Sequence, residues 1–237
     1  MAGKTNNRRK VVKNASARPK TFYYVLGAIA LTGASILGYS VLRKPSGAIG
    51  TPVTVDPATL GPAQGYLLGK PDAPVKIVEF ADFECPGCAQ FATVTEPDVR
   101  KRIVEAGLAN FTFYDFPLPQ HKNSPAASMA AACANDQGKF WEMHDRIFLA
   151  QYQWNTQATD NPKPFFAKYA SDLGLNMPAW EACYDSQKHR QRILSNFAEG
   201  ERRQVNSTPT FIIGDRKYPN ALPYDAIKAI VDSVAAK

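Results

Sequence analysis

The sequence predicts an α/β fold in which a βαβ half and a ββα half flank a block of helices, behind one apolar membrane span. Three observations carry that reading. Phe22 to Leu42 is an uncharged apolar run that follows a basic N-terminus. Two β-rich runs enclose a helical stretch between Val75 and Phe116, and strand signals return only at Thr210. The residues between, 124–204, read as helix throughout.

The N-terminus comes first. Nine of the 28 Lys and Arg residues lie in residues 1–44, which contain no Asp or Glu, so the remainder holds 19 basic against 21 acidic residues. The formal charge of +7 therefore belongs to a tail and not to a basic face of the folded part, which removes the basis for nucleic-acid binding. Residues 1–21 read as a cytoplasmic tail and 22–42 as a transmembrane signal anchor. At ~1.5 Å per residue the apolar run is long enough for a hydrocarbon core of ~30 Å. A cleaved signal peptide has an apolar region of only ~7–15 residues. Tyr23, Tyr24 and Tyr39 fall near the ends of the run, where amphipathic rings favour the interface. Seven basic residues precede it and only Arg43 and Lys44 follow closely. The positive-inside bias makes this a single-pass protein of the cytoplasmic membrane with its C-terminal part in the periplasm or its equivalent. All four cysteines then lie where disulfides persist.

Residues 43–72 are rich in Pro and Gly and read as a linker, ending in a short arm. The globular domain, 73–237, opens with the strand Val75–Phe80. A helix starts at Cys85, bends near Pro97 and stops at Gly107. Leu108 to Phe116 is a second strand, and the strand–helix–strand order gives a parallel pair with a right-handed crossover. In the insertion, Ser124-Pro125 reads as an N-cap with proline at the first helical position. Gly138 and Gly174 end helices, and Asn176-Met177-Pro178 opens a long one. Thr210 to Ile213 and Lys217-Tyr218 form a hairpin about Gly214-Asp215. Ile227, Ile230, Val231 and Val234 mark the apolar stripe of a final helix. Together these elements are a thioredoxin fold with an inserted helical domain, preceded by one transmembrane helix.

Cys85-Pro86-Gly87-Cys88 ends a strand and opens a helix. Unpaired N–H groups and the helix dipole favour an anion there, so the Cys85 thiol is expected below its free pKa, in the ~3.5–7.5 range of such sites. The thiolate attacks disulfides, and Cys88, one turn on, resolves the mixed disulfide. Zinc is the rival for a CxxC, but a second CxxC is missing, and His121, His144 and His189 are all remote in sequence.

The runs Gly69 to Val75 and Val78 to Cys88 resemble the start of a bacterial DsbA-like thioredoxin domain. Asp115 to Leu118 with His121, Gly138 to Asp145, and Thr208-Pro209-Thr210 extend the resemblance over residues 69–237. It implies that Cys85 is the nucleophile and Cys88 the resolving cysteine. It also implies that Thr208-Pro209 is a cis-proline loop against the active site, a point that the sequence alone leaves open because X–Pro bonds adopt either isomer at modest cost. A cis bond would aim Thr208 at the sulfurs and free its backbone to pair with a substrate strand. The implied activity is protein-disulfide exchange without a dissociable cofactor. Its substrates would be unfolded exported proteins, and a quinone-linked membrane protein would reoxidise the pair. The departure is Pro-Gly where the well-known oxidase motif has Pro-His. Without a side-chain donor the thiolate is less stabilised and the pair less oxidising, so reductase or isomerase polarity is the nearest alternative and a metal-binding CxxC module a remoter one.

Glu79 lies in an apolar strand. It reads either as a proton shuttle with a raised pKa beneath the cysteines or as a strand-end residue paired with a lysine. The resemblance favours the shuttle, because the family keeps an acid there. Asp82 and Glu84 read as exposed turn residues, and Glu84 would raise the Cys85 pKa by repulsion. Cys133 and Cys183 read as a structural disulfide or as two buried thiols. The oxidising compartment favours the disulfide, and a closed loop of that length contributes ~4 kcal/mol on the chain-entropy model. The three histidines read as caps or surface residues, and Phe140, Trp141, Phe148, Trp154 and Trp180 as core of the insertion.

Overall fold

Val75, Ile77, Phe80 and Ala81 are buried along Val75–Ala81 while Lys76 is exposed, as expected of a strand whose C-terminal end enters the core. This strand lies at the centre of the sheet in the computed structural model, which describes residues 20, 21, 24 and 60–236. The predicted span at 22–42, Tyr24 apart, and most of the linker lie outside the described residues. Among the described residues no helix is long and apolar enough to cross a membrane. The chain divides into two units, Met1–Gly47 and Ala48–Lys237, and the second holds all that follows.

In chain order its elements are β1 (Tyr66–Leu68), β2 (Val75–Ala81), a helix α1 over 86–104, and β3 (Ala109–Asp115). The insertion comprises α2 (Ser124–Asn135), α3 (Phe140–Leu149), α4 (Gln151–Trp154), α5 (Lys163–Asp172), α6 (Met177–Asp185) and α7 (Arg190–Arg202). Then come β4 (Thr210–Ile213), β5 (Arg216–Pro219) and α8 (Tyr224–Ala235). The five strands form one mixed sheet in the order β1-β3-β2-β4-β5. Only β2 and β3 are parallel, with Glu79 opposite Phe113, and β4 pairs antiparallel with β2, setting Glu79 opposite Phe211. This is the expected pairing of a βαβ half with a ββα half.

Four departures have local causes. Tyr66–Leu68, within the expected linker, pairs with Phe111–Phe113 as an edge strand. Tyr66 stacks on Phe140 at 3.5 Å between ring centroids, and Arg192 lies 3.8 Å over its ring while donating to Gln64 O and Gly65 O. Near Pro97, which has no N–H for the helical ladder, α1 widens into π-helical turns at Phe91–Thr95 and Arg100–Val104. Asn123, not Ser124, is the N-cap residue of α2, and Pro125 occupies its first turn. The long helix expected from Asn176 is two helices. Asn176 caps α6 by accepting from Ala179 N–H at 3.1 Å, and the chain breaks at Gln187, whose φ of 54° is left-handed.

The insertion packs on α2, whose Ala126 to Ala134 are buried throughout; apart from Met129 their side chains are small and allow helices to approach closely. Cys133 of α2 and Cys183 of α6 are joined as a disulfide. Phe140, Phe148, Trp154 and Trp180 are buried, whereas Trp141 is half-buried and its indole N–H reaches Leu67 O at 3.4 Å.

Candidate active site

The carboxyl end of β2 delivers the chain into a tight turn in which Cys85 N–H donates to Asp82 O at 3.0 Å. Cys85 is the N-cap residue of α1, extended at φ −73° and ψ 123°, with Pro86 behind it and no side chain capping the helix. The first N–H groups of α1 are thus left to the sulfur. Cys85 is 9% exposed, Cys88 is fully buried, and the two thiols are unbonded. The Thr208–Pro209 bond is cis. It sets Thr208 O 3.3 Å from Cys85 Sγ, within reach of the thiol S–H. Gly87 lets the two loops close: a Cβ there would lie 3.3 Å from Pro209 Cδ and 3.7 Å from Cys85 Sγ.

The two sulfurs are pushed apart in acidity. Cys85 is lowered to about 6, chiefly by the Cys88 thiol donating to it. The Thr208 side chain and the N–H groups of Cys88 and Gly87 lower it further, against the opposing effect of burial. The Thr208 hydroxyl is buried without a conventional hydrogen-bond partner among the described residues, so it is available to the sulfur. Burial and the neighbouring Cys85 hold the Cys88 thiol well above its usual value. Asp82 N–H, 3.5 Å from Cys88 Sγ, acts in the lowering direction.

Glu79 is 1% exposed. Burial holds its carboxyl well above the carboxylate range, and repulsion from Glu96 and Cys85 adds to this while Arg100 opposes it. The expectation of two exposed acids beside the cysteines is corrected. Asp82 is 1% and Glu84 4% exposed, and both carboxylates are consumed as loop fasteners. Asp82 accepts from Glu84 N–H and Leu118 N–H at 2.7 Å each and meets His121 Nδ1 at 2.7 Å. Glu84 turns away from the thiol to accept from Asn123 N–H at 2.9 Å and from Thr156 N–H. The groups that chiefly set the Cys85 acidity are instead Cys88, Thr208 and the helix N–H groups.

Gln151, which sequence reasoning missed, fastens the same loop by donating to Phe83 O at 2.8 Å and Cys85 O at 3.0 Å. Nothing in its local pattern marks it, since both acceptors are backbone carbonyls more than 60 residues away. Of the histidines His144 is corrected, whereas His189 is the N-cap residue of α7, as expected. His144 is fully buried, and only His121 and His189 keep partial exposure.

The structure therefore brings Cys85, Cys88, Thr208, Pro209 and Glu79 together and puts Cys133 and Cys183 in the insertion. Among the described residues, neither Cys85 nor Cys88 belongs to a group of three His, Cys, Asp or Glu residues able to hold a metal ion. Glu96, His144 and Asp145 form such a group, but Arg100 already lies among them.

A mixed sheet, a CxxC at the head of its first long helix and a cis-proline loop against the sulfurs define a thioredoxin-type dithiol site. The family model described as thioredoxin matches residues 63–233, and the chain belongs to that family. Its fold is that of the DsbA-like oxidoreductases. The crystal structure of Wolbachia pipientis α-DsbA1 matches with a TM-score of 0.65 at 20% identity, over 76% of this chain and 94% of that one. Disulfide bond formation protein D of Bacillus subtilis is 27% identical over 172 residues, 70% of this chain and 75% of that protein. The Na(+)/H(+) antiporter NhaA 3 of Salinispora tropica is 31% identical over 199 residues, 83% of this chain but 28% of the antiporter. The chain thus spans under a third of the length of the first curated relatives it matches.

Proposed function

We propose that the chain is a protein-disulfide oxidoreductase that oxidises exported proteins through Cys85 and Cys88. The observation that carries this is the split between the sulfurs: Cys85 is lowered to about 6 beside Thr208 while Cys88 is held high and buried. A substrate thiolate attacks Cys85 Sγ of the disulfide form, and the Cys85–Cys88 bond breaks with its electron pair going to Cys88. Glu79, whose burial favours its neutral form, is placed to supply the proton that Cys88 takes up. The second substrate thiolate then closes the substrate disulfide and releases Cys85 as a stable thiolate. Thr208 and Pro209 flank the sulfur, and their backbone suits an extended substrate chain. No dissociable cofactor takes part. The Cys133–Cys183 bond acts as a structural staple.

The basic tail and apolar run at 22–42 support a single-pass anchor in the cytoplasmic membrane with the catalytic domain outside. Substrates are then unfolded secreted chains, and a quinone-linked membrane protein restores the disulfide. The B. subtilis relative, named for disulfide bond formation, fits this reading. One observation favours a second reading, reductase or isomerase: Pro86-Gly87 adds no side-chain donor to the thiolate. The reduction potential of the full chain, with Cys133→Ala/Cys183→Ala run alongside, decides between them. A potential above the ~−270 mV of thioredoxin supports the oxidase, and one at or below it supports the reductase.

A further inference from the structure

Glu79 is buried, so a proton it gives to Cys88 must be replaced through the protein. A path of ionisable groups leads away from it along α1 and α3. The charged groups that act on Glu79 are Glu96, Arg100 and Cys85, and Glu79 in turn acts on Cys88. Glu96 is fully buried and bound to Arg100, with Arg100 Nε 2.7 Å from Glu96 Oε1. The other oxygen, Glu96 Oε2, is buried and has no hydrogen-bond partner among the described residues. It faces His144 Nε2 at 3.7 Å, which is buried and equally without a hydrogen-bond partner. The opposite ring nitrogen, His144 Nδ1, meets Asp145 Oδ1 at 2.8 Å, and the Asp145 side chain is half in solvent. Arg100 braces both ends of this chain of groups, reaching Asp145 Oδ1 at 2.7 Å and Oδ2 at 3.0 Å and lying 3.3 Å from His144 Nδ1.

An imidazole with a carboxylate oxygen at each nitrogen can take a proton on one side and release one on the other. A cation at Glu96, His144 and Asp145 would have to displace the Arg100 guanidinium, so the same residues are a poor metal site. We propose that Glu96 and His144 are positioning residues that link the Glu79 carboxyl to solvent at Asp145, returning to Glu79 the proton it gives to Cys88. This rests on the oxidoreductase reading above. In each turnover one proton passes from Glu79 to Cys88 Sγ, and one re-enters at Asp145, crosses the ring of His144 and returns through Glu96 to Glu79. No electrons move along this path.

The test uses the full chain turning over repeatedly across a range of pH, with dithiothreitol as the dithiol and glutathione disulfide as the oxidant, so that Glu79 must be reloaded in every cycle. His144→Gln and Glu96→Gln keep a hydrogen-bonding side chain but carry no exchangeable acid. Each is expected to slow the exchange about tenfold and to alter its pH profile. In a Glu79→Gln background, adding either change is expected to have no further effect, because the relay then has nothing to serve. The same slowing with and without Glu79, or an unaltered pH profile, would reduce His144 and Glu96 to packing and overturn the proposal. Glu96→Gln decides the matter alone if His144→Gln does not fold. A wild-type chain that never exchanges with dithiothreitol would instead overturn the oxidoreductase reading and the relay with it.

Discussion

The chain contains two pairs of cysteines that have come to opposite ends. Cys85 and Cys88 stand at the head of a helix as free thiols, while Cys133 and Cys183 lie inside two helices and are bonded. All four are buried, so burial does not separate them. The surroundings of the sulfur do. Cys85 has unclaimed helix N–H groups, the Cys88 thiol and the Thr208 side chain to stabilise a negative charge. Cys133 and Cys183 sit past the first turn of their helices, where the N–H groups are committed to the ladder, and their bond closes a loop with a sequence separation of 50. One pair is held ready for exchange, and the other ties down the insertion whose Gln151 and Asn123 fasten the reactive loop.

That contrast can be broken by substitution, and the largest effect falls at its centre. Cys85→Ser is expected to abolish exchange, while Cys88→Ser retains attack by Cys85 and accumulates a mixed disulfide with substrate, visible by mass. Cys133→Ala/Cys183→Ala is expected to leave the Cys85 thiolate titration in place and to lower stability in urea by about 4 kcal/mol on the chain-entropy model. Unfolding at wild-type denaturant concentrations would show that the second bond is no staple. Thr208→Val removes the hydroxyl that helps hold the thiolate and is expected to raise the Cys85 pKa by about one unit.

The smallest effect concerns His121, whose pKa is raised chiefly by its hydrogen bond with Asp82. A raised folded pKa gives stability that is full below the unfolded value of about 6.5 and fades as pH rises through the folded one. His121→Gln should therefore lose stability at acid pH and approach wild type at alkaline pH. The opposite trend in a pH series of urea melts would remove the His121–Asp82 pair from the account.

What the sequence made legible is what neighbours in the chain determine. The strand at Val75, the helix after Cys85, the returning strand at Thr210 and the fold they compose follow from periodicity, caps and turn residues. So does the environment of Glu79, since a carboxylate inside an apolar strand is exceptional wherever its partners are. The illegible parts depend on distant partners. Glu84 looks like a solvated turn acid until Asn123 and Thr156 arrive from 39 and 72 residues away. His144 looks like a surface residue of α3 until Phe83, Phe113 and Glu96 close over it. Tyr66 looks like linker because β1 contributes only three residues, and its place is fixed by Phe113 and Arg192.

The central claim is that Cys85 ionises near pH 6 while Cys88 does not, and the reduction potential of the pair followed across pH tests it most directly. Two electrons taken up with two protons give about 59 mV per pH unit, and with one proton about 30 mV. The account predicts the steeper slope below about 6, the pKa held by Cys85, and the shallower slope above it. A slope of about 59 mV per unit continuing well into the alkaline range would mean that Cys85 is an ordinary thiol, and would contradict it.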